Sequence, residues 1–161
     1  MMKTEIIAEP GKQELFIHRE FDAPGELVYK AFSDPNILLQ FFAPKGINMQ
    51  FLLKEYEEGK AYRYRHTDRE GNTLCTFKGV VHEMSAPNRI VITSELEELP
   101  IPGRAILEIY EFIELSGSRT KLTIQDICRS VDDRDAMVKS GMGDGLISIF
   151  KNLDELLKAE I

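Results

Sequence analysis

At 161 residues, 43% apolar and 29% charged, the chain has the size and composition of one globular domain with a core of its own, and is too hydrophobic to stay disordered. A net charge of −7, with acids grouped at Glu55, Glu57, Glu58 and again at Glu95, Glu97, Glu98, argues against a nucleic-acid partner, because a phosphate backbone is held by lysines and arginines that displace its counterions. No apolar run is long enough to span a bilayer, and no segment near the N-terminus has the pattern of a signal peptide. The expectation is therefore one cytoplasmic domain over residues 1–161.

Residues 12–21 predict a first strand, with Leu15, Ile17 and Phe21 alternating with Phe16, His18 and Glu20 so that both faces carry apolar groups. Asp22-Ala23-Pro24 then supplies a helix start, and Leu27, Val28, Ala31 and Phe32 give that helix an apolar stripe. It stops at Ser33-Asp34-Pro35, where Asp34 is placed to cap a second short helix carrying Ile37, Leu38 and Phe41. Beyond Ala43-Pro44-Lys45-Gly46, strands are expected at 48–55, 60–67, 73–84, 89–96, 104–114 and 119–129. Turn signals separate them, the longest being Pro100-Ile101-Pro102-Gly103. Connections this short cannot cross over to a parallel neighbour, so the strands form an antiparallel meander.

After residue 129 the period changes from two to 3.6. Ser130 and Asp133 have capping-box spacing, and Val138, Met142, Gly145, Ile149, Leu153 and Leu156 form one face, with Asp144, Lys151, Asp154, Glu155 and Lys158 largely off it. A continuous helix over 132–158, roughly 40 Å long, is predicted to lie across the sheet. Gly141, Gly143 and Gly145 interrupt it at about 1 kcal/mol each relative to alanine. Close approach of the helix to the sheet or to the short helices is the preferred reason, and room for a guest is the other; a phosphate-binding loop comes third, because the glycines sit inside the periodic pattern and not between a strand and a helix start. Cys75 and Cys128, far apart and each within a predicted strand, read as buried free thiols.

Several of these segments, in this order, resemble a known family. Phe21-Asp22-Ala23-Pro24, Glu26-Leu27-Val28-Tyr29, Asp34-Pro35, Phe41-Phe42-Ala43-Pro44-Lys45-Gly46, Phe77-Lys78-Gly79-Val80, Pro87-Asn88-Arg89-Ile90-Val91 and the tail from Arg134 through Gly145 are similar to the activator of heat shock protein 90 ATPase homologues. That family belongs to the START-like, helix-grip superfamily also called SRPBCC. The resemblance implies an α+β fold in which a curved antiparallel sheet, seven-stranded in type, wraps a long C-terminal helix, with two short helices after the first strand. It also implies a cavity beneath the helix that in many relatives holds an apolar or amphipathic ligand. Phe41-Phe42 stands where a tryptophan pair is usual, and Leu146 where a tryptophan usually follows the glycine; the chain has no Trp at all.

Candidate site residues follow from strand phase. Tyr62, Tyr64 and His66 share one face of their strand while Arg63 and Arg65 share the other. If the aromatic face looks inward, two phenols and an imidazole become orienting groups among apolar walls; otherwise the tyrosines are core packing with hydroxyls at the rim. Phe32, Phe41, Phe42, Phe51, Phe77, Met142 and Ile149 are expected around the cavity, as wall or as filling. Asp126 shares a face with Leu122 and Ile124 and is a candidate for a perturbed acid, although its place near the strand end favours contact with water. No zinc-like ligand spacing, nucleophile elbow or nucleotide-binding glycine motif is present, so neither metal nor cofactor is expected. The leading expectation is a non-enzymatic module that encloses a small hydrophobic ligand. The family resemblance also implies a co-chaperone that stimulates the heat-shock ATPase, a role whose known members carry an additional N-terminal domain. Superfamily relatives imply a third option, a cyclase- or dehydratase-like enzyme using Asp126 or His66 as acid or base. A homodimer is compatible with the sequence.

Overall fold

Strict alternation along Glu14–Phe21 (β2) buries Leu15, Ile17, Arg19 and Phe21, and along Arg119–Cys128 (β8) it buries Thr120, Leu122, Ile124, Asp126 and Cys128. The two strands pair antiparallel from Glu14↔Ile127 to Phe21↔Thr120, which puts both buried sets on one face of the sheet. The computed structural model describes residues 2–98 and 104–159. The remaining strands are Glu5–Ile7 (β1), Asn48–Leu53 (β3), Ala61–Thr67 (β4), Thr73–Ser85 (β5), Arg89–Leu96 (β6) and Ile106–Leu115 (β7). Together the eight form one curved, open sheet in the order β1-β2-β8-β7-β6-β5-β4-β3, antiparallel at every pairing.

The predicted strands are all present, with one addition. Three-residue β1 pairs Glu5 with His18 and Ile7 with Phe16, extending the sheet beyond the first predicted strand. It is too short to leave a periodic signal. The Pro100-Ile101-Pro102-Gly103 turn lies outside the described residues. Gly79 occupies a place no other residue fits: a Cβ there would stand 1.8 Å from the Thr93 carbonyl oxygen and 2.9 Å from the Tyr62 hydroxyl. Cys75 is half-buried and Cys128 buried, and both are free thiols.

Two short helices, Gly25–Ser33 (α1) and Pro35–Phe41 (α2), follow β2 as predicted. The Asp34 carboxylate accepts the Asn36 N–H at 2.9 Å, and Val28, Ala31, Phe32, Leu38 and Phe41 turn inward. Phe32 forms the centre of an aromatic cluster with Phe41, Tyr110 and Phe112, at centroid distances of 5.3, 5.8 and 5.7 Å.

The C-terminal segment departs from the expected single rod. It forms two helices, Val131–Lys139 (α3) and Met142–Lys158 (α4), separated at Ser140 and Gly141. Gly141 has φ 87°, a left-handed conformation open to glycine at little strain, and the chain turns there. Apolar spacing carries across the joint because each helix has its own inward residues, and spacing alone does not register a one-residue change of direction. Val138, expected on the inner stripe, is instead exposed. Ser130 caps α3 by accepting the Asp133 N–H at 3.1 Å, but the Asp133 carboxylate pairs with Arg129 at 2.9 Å and Arg104 at 3.2 Å, so only half of the capping box forms.

Helix α4 buries Ile149, Phe150, Leu153 and Leu157 against the sheet, and Phe150 meets Phe21 edge-on at 5.7 Å. Asp154, expected largely off the helix's apolar face, reaches the sheet. Its carboxylate accepts two bonds from the Arg19 guanidinium, at 3.1 and 2.5 Å, and the guanidinium lies 4.8 Å from the Phe21 ring centroid. Arg19 is only 3% exposed, so removing its partner leaves a charge that water cannot reach. Asp154→Ala is expected to lower unfolding free energy by about 2–3 kcal/mol, measured by urea denaturation, whereas Glu155→Ala one position on should change it by less than about 0.5 kcal/mol.

Candidate functional site

The inward phase of β4 places Tyr62, Tyr64 and His66 under the helices, while Arg63 bonds Glu97 at 2.6 Å and Arg65 bonds Gln50 at 2.9 Å on the outside. Tyr64 stacks on Phe77 at 5.1 Å. His66 Nε2 lies 3.0 Å from the Phe42 carbonyl oxygen; since a carbonyl can only accept, Nε2 carries the hydrogen and Nδ1 is left as an acceptor. Burial lowers the His66 pKa, which keeps the ring neutral.

Between these side chains and the first turns of α4 lies a cavity of about 470 Å³, a volume within the usual range for small-molecule sites. Its apolar walls include Ile17, Phe77, Leu96, Ile124, Met137 and Leu146. Of the residues selected from sequence, Phe42, Tyr64, His66, Phe77, Asp126, Met142 and Ile149 meet around this one space. Phe32, Phe41, Phe51 and Tyr62 do not line it. Phe32 and Phe41 are core, Phe51 packs beside Tyr64 at 5.9 Å, and the Tyr62 hydroxyl donates to the Thr93 carbonyl at 2.8 Å. The helix glycines divide in role. Gly143 approaches Ile6 Cδ1, where a Cβ would stand at 3.3 Å, whereas a Cβ on Gly145 would meet nothing within 4 Å although the residue borders the cavity. Close approach, the preferred reading of the glycines, thus fails at Gly145, where the backbone opens on empty space.

The polar interior differs most from expectation. Asp126 is 4% exposed and faces the cavity, not the water at the end of its strand. Its antiparallel partner on β7 is Glu108, also on the inward face and also lining the cavity. The two carboxyl groups share a side-chain hydrogen bond, the Tyr110 hydroxyl lies 3.3 Å from Glu108 Oε1, and Asp126 Oδ1 has no partner. Burial raises both carboxyl pKa values. For Asp126 the negative charge of Glu108 and the bond to it raise the value further, well above the ordinary range, while for Glu108 the bonds from Asp126 and Tyr110 oppose the rise. The pair thus retains a shared proton beyond the ordinary carboxylate range. Glu108 was legible in the same way as Asp126: Ile106, Glu108, Tyr110 and Phe112 share one phase of a predicted strand.

A curved antiparallel sheet, two short helices after β2 and a closing C-terminal helix above a cavity together make a helix-grip fold. The sequence pattern of the family described as Activator of Hsp90 ATPase homolog 1-like protein matches residues 22–158. The chain belongs to that family. Among solved structures, a protein of Rhodobacter sphaeroides is 25% identical with a TM-score of 0.83, over 96% of this chain and 99% of that one. A protein of Arthrobacter aurescens is 19% identical with a TM-score of 0.84, over 96% and 91%. The AHSA1 protein of Silicibacter pomeroyi is 20% identical with a TM-score of 0.74, over 92% and 99%. No curated protein matches the chain. No helix among the described residues is long and apolar enough to cross a membrane.

The raised carboxyl pKa values carry a stability consequence. Below the ordinary carboxylate range both folded and unfolded chains hold the Asp126 proton, so the group adds no pH dependence there. As pH rises, the unfolded chain loses that proton first, and stability falls until the folded pKa is passed. Among the described residues lining the cavity, Tyr64, Tyr110 and Cys128 carry no positive charge, the lowered pKa of His66 keeps it neutral and Arg104 is paired with Asp133, so none of these offsets the pair. Asp126→Asn, of the same shape but without the ionisation, is expected to melt above the parent protein at about pH 8, with the gap closing toward about pH 4 in thermal unfolding scans.

Proposed function

We propose that the protein binds a small hydrophobic or amphipathic molecule in the space between the sheet and α4, with no catalysis required. The observation that carries this reading is the cavity of about 470 Å³ itself, walled by apolar side chains but furnished with Tyr64, His66, Glu108 and Asp126 at fixed positions. Empty apolar space of this size forfeits the dispersion contacts that a packed interior would make, and a guest would restore them. Two features of the chain support the space as a site. Gly145 leaves helix surface bare where any side chain would intrude, and the polar groups converge from β4, β7 and β8 on one region. The co-chaperone reading suggested by the family's name rests on no surface feature found among the described residues and stands second.

A thermal-shift screen of a broad apolar library, paired with native mass spectrometry of the purified protein, tests the proposal. Binding is expected as stabilisation by a subset of compounds or as a co-purifying mass. Gly145→Phe, which directs a ring into the empty space, is expected to abolish the shifts while leaving the unliganded melting temperature at or above the parent value, because glycine within a helix is itself destabilising by about 1 kcal/mol. Stabilisation that survives in Gly145→Phe would place binding elsewhere, and an absence of shifts across the whole library would remove the proposal.

A further inference from the structure

On one wall of the cavity β7 and β8 present Glu108 and Asp126 side by side, among apolar side chains and with Tyr64 and His66 of β4 also on the lining. An acid facing an apolar space is unfavourable to fold around, and two acids in register are more so. The site also contains an acceptor with nothing to accept from: Asp126 Oδ1 is buried without a hydrogen-bond partner, in a side chain that is 4% exposed. A group that completes this site must therefore bring N–H or O–H donors. It must also tolerate negative charge. Among the described residues the arginine on the lining is Arg104, which lies 3.2 Å from Asp133, itself on the lining, and the buried His66 ring is neutral. Among the described lining residues Arg104 is matched by Asp133, and no cation faces the Glu108–Asp126 pair, so the field beside the pair favours a cation and opposes an anion.

Resting on the reading of this cavity as a ligand site, we infer that its ligand is a hydrophobic amine, whose ammonium group lies between Glu108 and Asp126 and whose apolar body fills the space bounded by Phe77, Ile124, Met142 and Leu146. An ammonium supplies three donors and one positive charge, enough to satisfy Asp126 Oδ1 and to bond Glu108 as well. Its charge takes over the role of the proton that the two carboxyl groups otherwise share, and that proton passes to solvent. A fatty acid of the same length would set a third carboxylate beside the pair, and a long-chain alcohol would offer one donor and no charge.

The test is a matched series of probes that differ only in the head group: decylamine, decanol and decanoate, titrated into the full-length protein by isothermal calorimetry near neutral pH. Decylamine is expected to bind about tenfold or more tightly than decanol, and decanoate most weakly, the amine's advantage being that of charge-assisted hydrogen bonds. In the Glu108→Gln, Asp126→Asn double variant, whose folding is checked by thermal melting, decylamine should fall to the affinity of decanol while decanol is unchanged. Because the comparison of three head groups on the unmodified protein needs no variant, the inference remains open to refutation if the double variant fails to fold. Decanoate or decanol binding as tightly as decylamine, or a double variant that keeps its preference for the amine, would overturn the amine assignment while leaving the cavity as a ligand site. Failure of all three probes to bind, together with no shift in the apolar library, would remove the underlying reading instead.

Discussion

A sheet that curls with an apolar concave face must be covered, and in this protein the cover is fixed at one place. Arg19 on β2 and Asp154 on α4 form a bidentate pair beside the Phe21–Phe150 contact, and this clasp sets where the helix lies. A helix of 17 residues is about 26 Å long, and its C-terminal half fills the bowl with Phe150, Leu153 and Leu157. Its first turns carry Met142, Gly143, Gly145 and Leu146, too little bulk to fill the rest. The gap is the difference between a tightly seated end and a sparsely furnished one, and both follow from the side chains along a single helix.

Into that gap the sheet turns two acids. Their presence opposes folding, since neither can ionise freely without water, and the proton they share is the protein's way of reducing the charge it must bury. Nothing in the packing demands them: Leu122 and Ile124 occupy the same phase of β8, the first as core and the second as apolar cavity wall. A costly arrangement retained in an otherwise apolar wall is best understood through what enters the space, as with perturbed acids at binding sites generally.

Much of the architecture was legible in the sequence, because period-two patterns, proline and glycine punctuation and the Asp34 cap are local signals that tertiary contacts did not override. The inward face of β4 was legible for the same reason. What the sequence concealed depended on pairing. Asp126 stands near a strand end, a position that favours water, yet that end lies under α3, which no local pattern reveals. Glu108 had the correct phase but gained meaning only when register set it opposite Asp126. The joint at Gly141 was hidden because apolar spacing continued across it, and the glycine signal was divided among three neighbours that turned out to do three different things: one turns the chain, one packs on Ile6, and one borders empty space.

The joint makes the roof of the cavity a thing of two separately moored spans. The buried Arg134 side chain ties α3 to the carbonyls of Glu9 and Glu14, at 2.8 and 3.2 Å. Helix α4 is tied at its far end to Arg19, and at mid-length Asn152 donates to the Ala43 carbonyl at 2.8 Å. Between these moorings, residues 139–145 cross the cavity's edge with a glycine pivot and no buried side chain. A bulky guest pressing outward there would bear on the lightly held part of the roof, where the backbone of Gly143 rests on Ile6, and not on the two anchored spans.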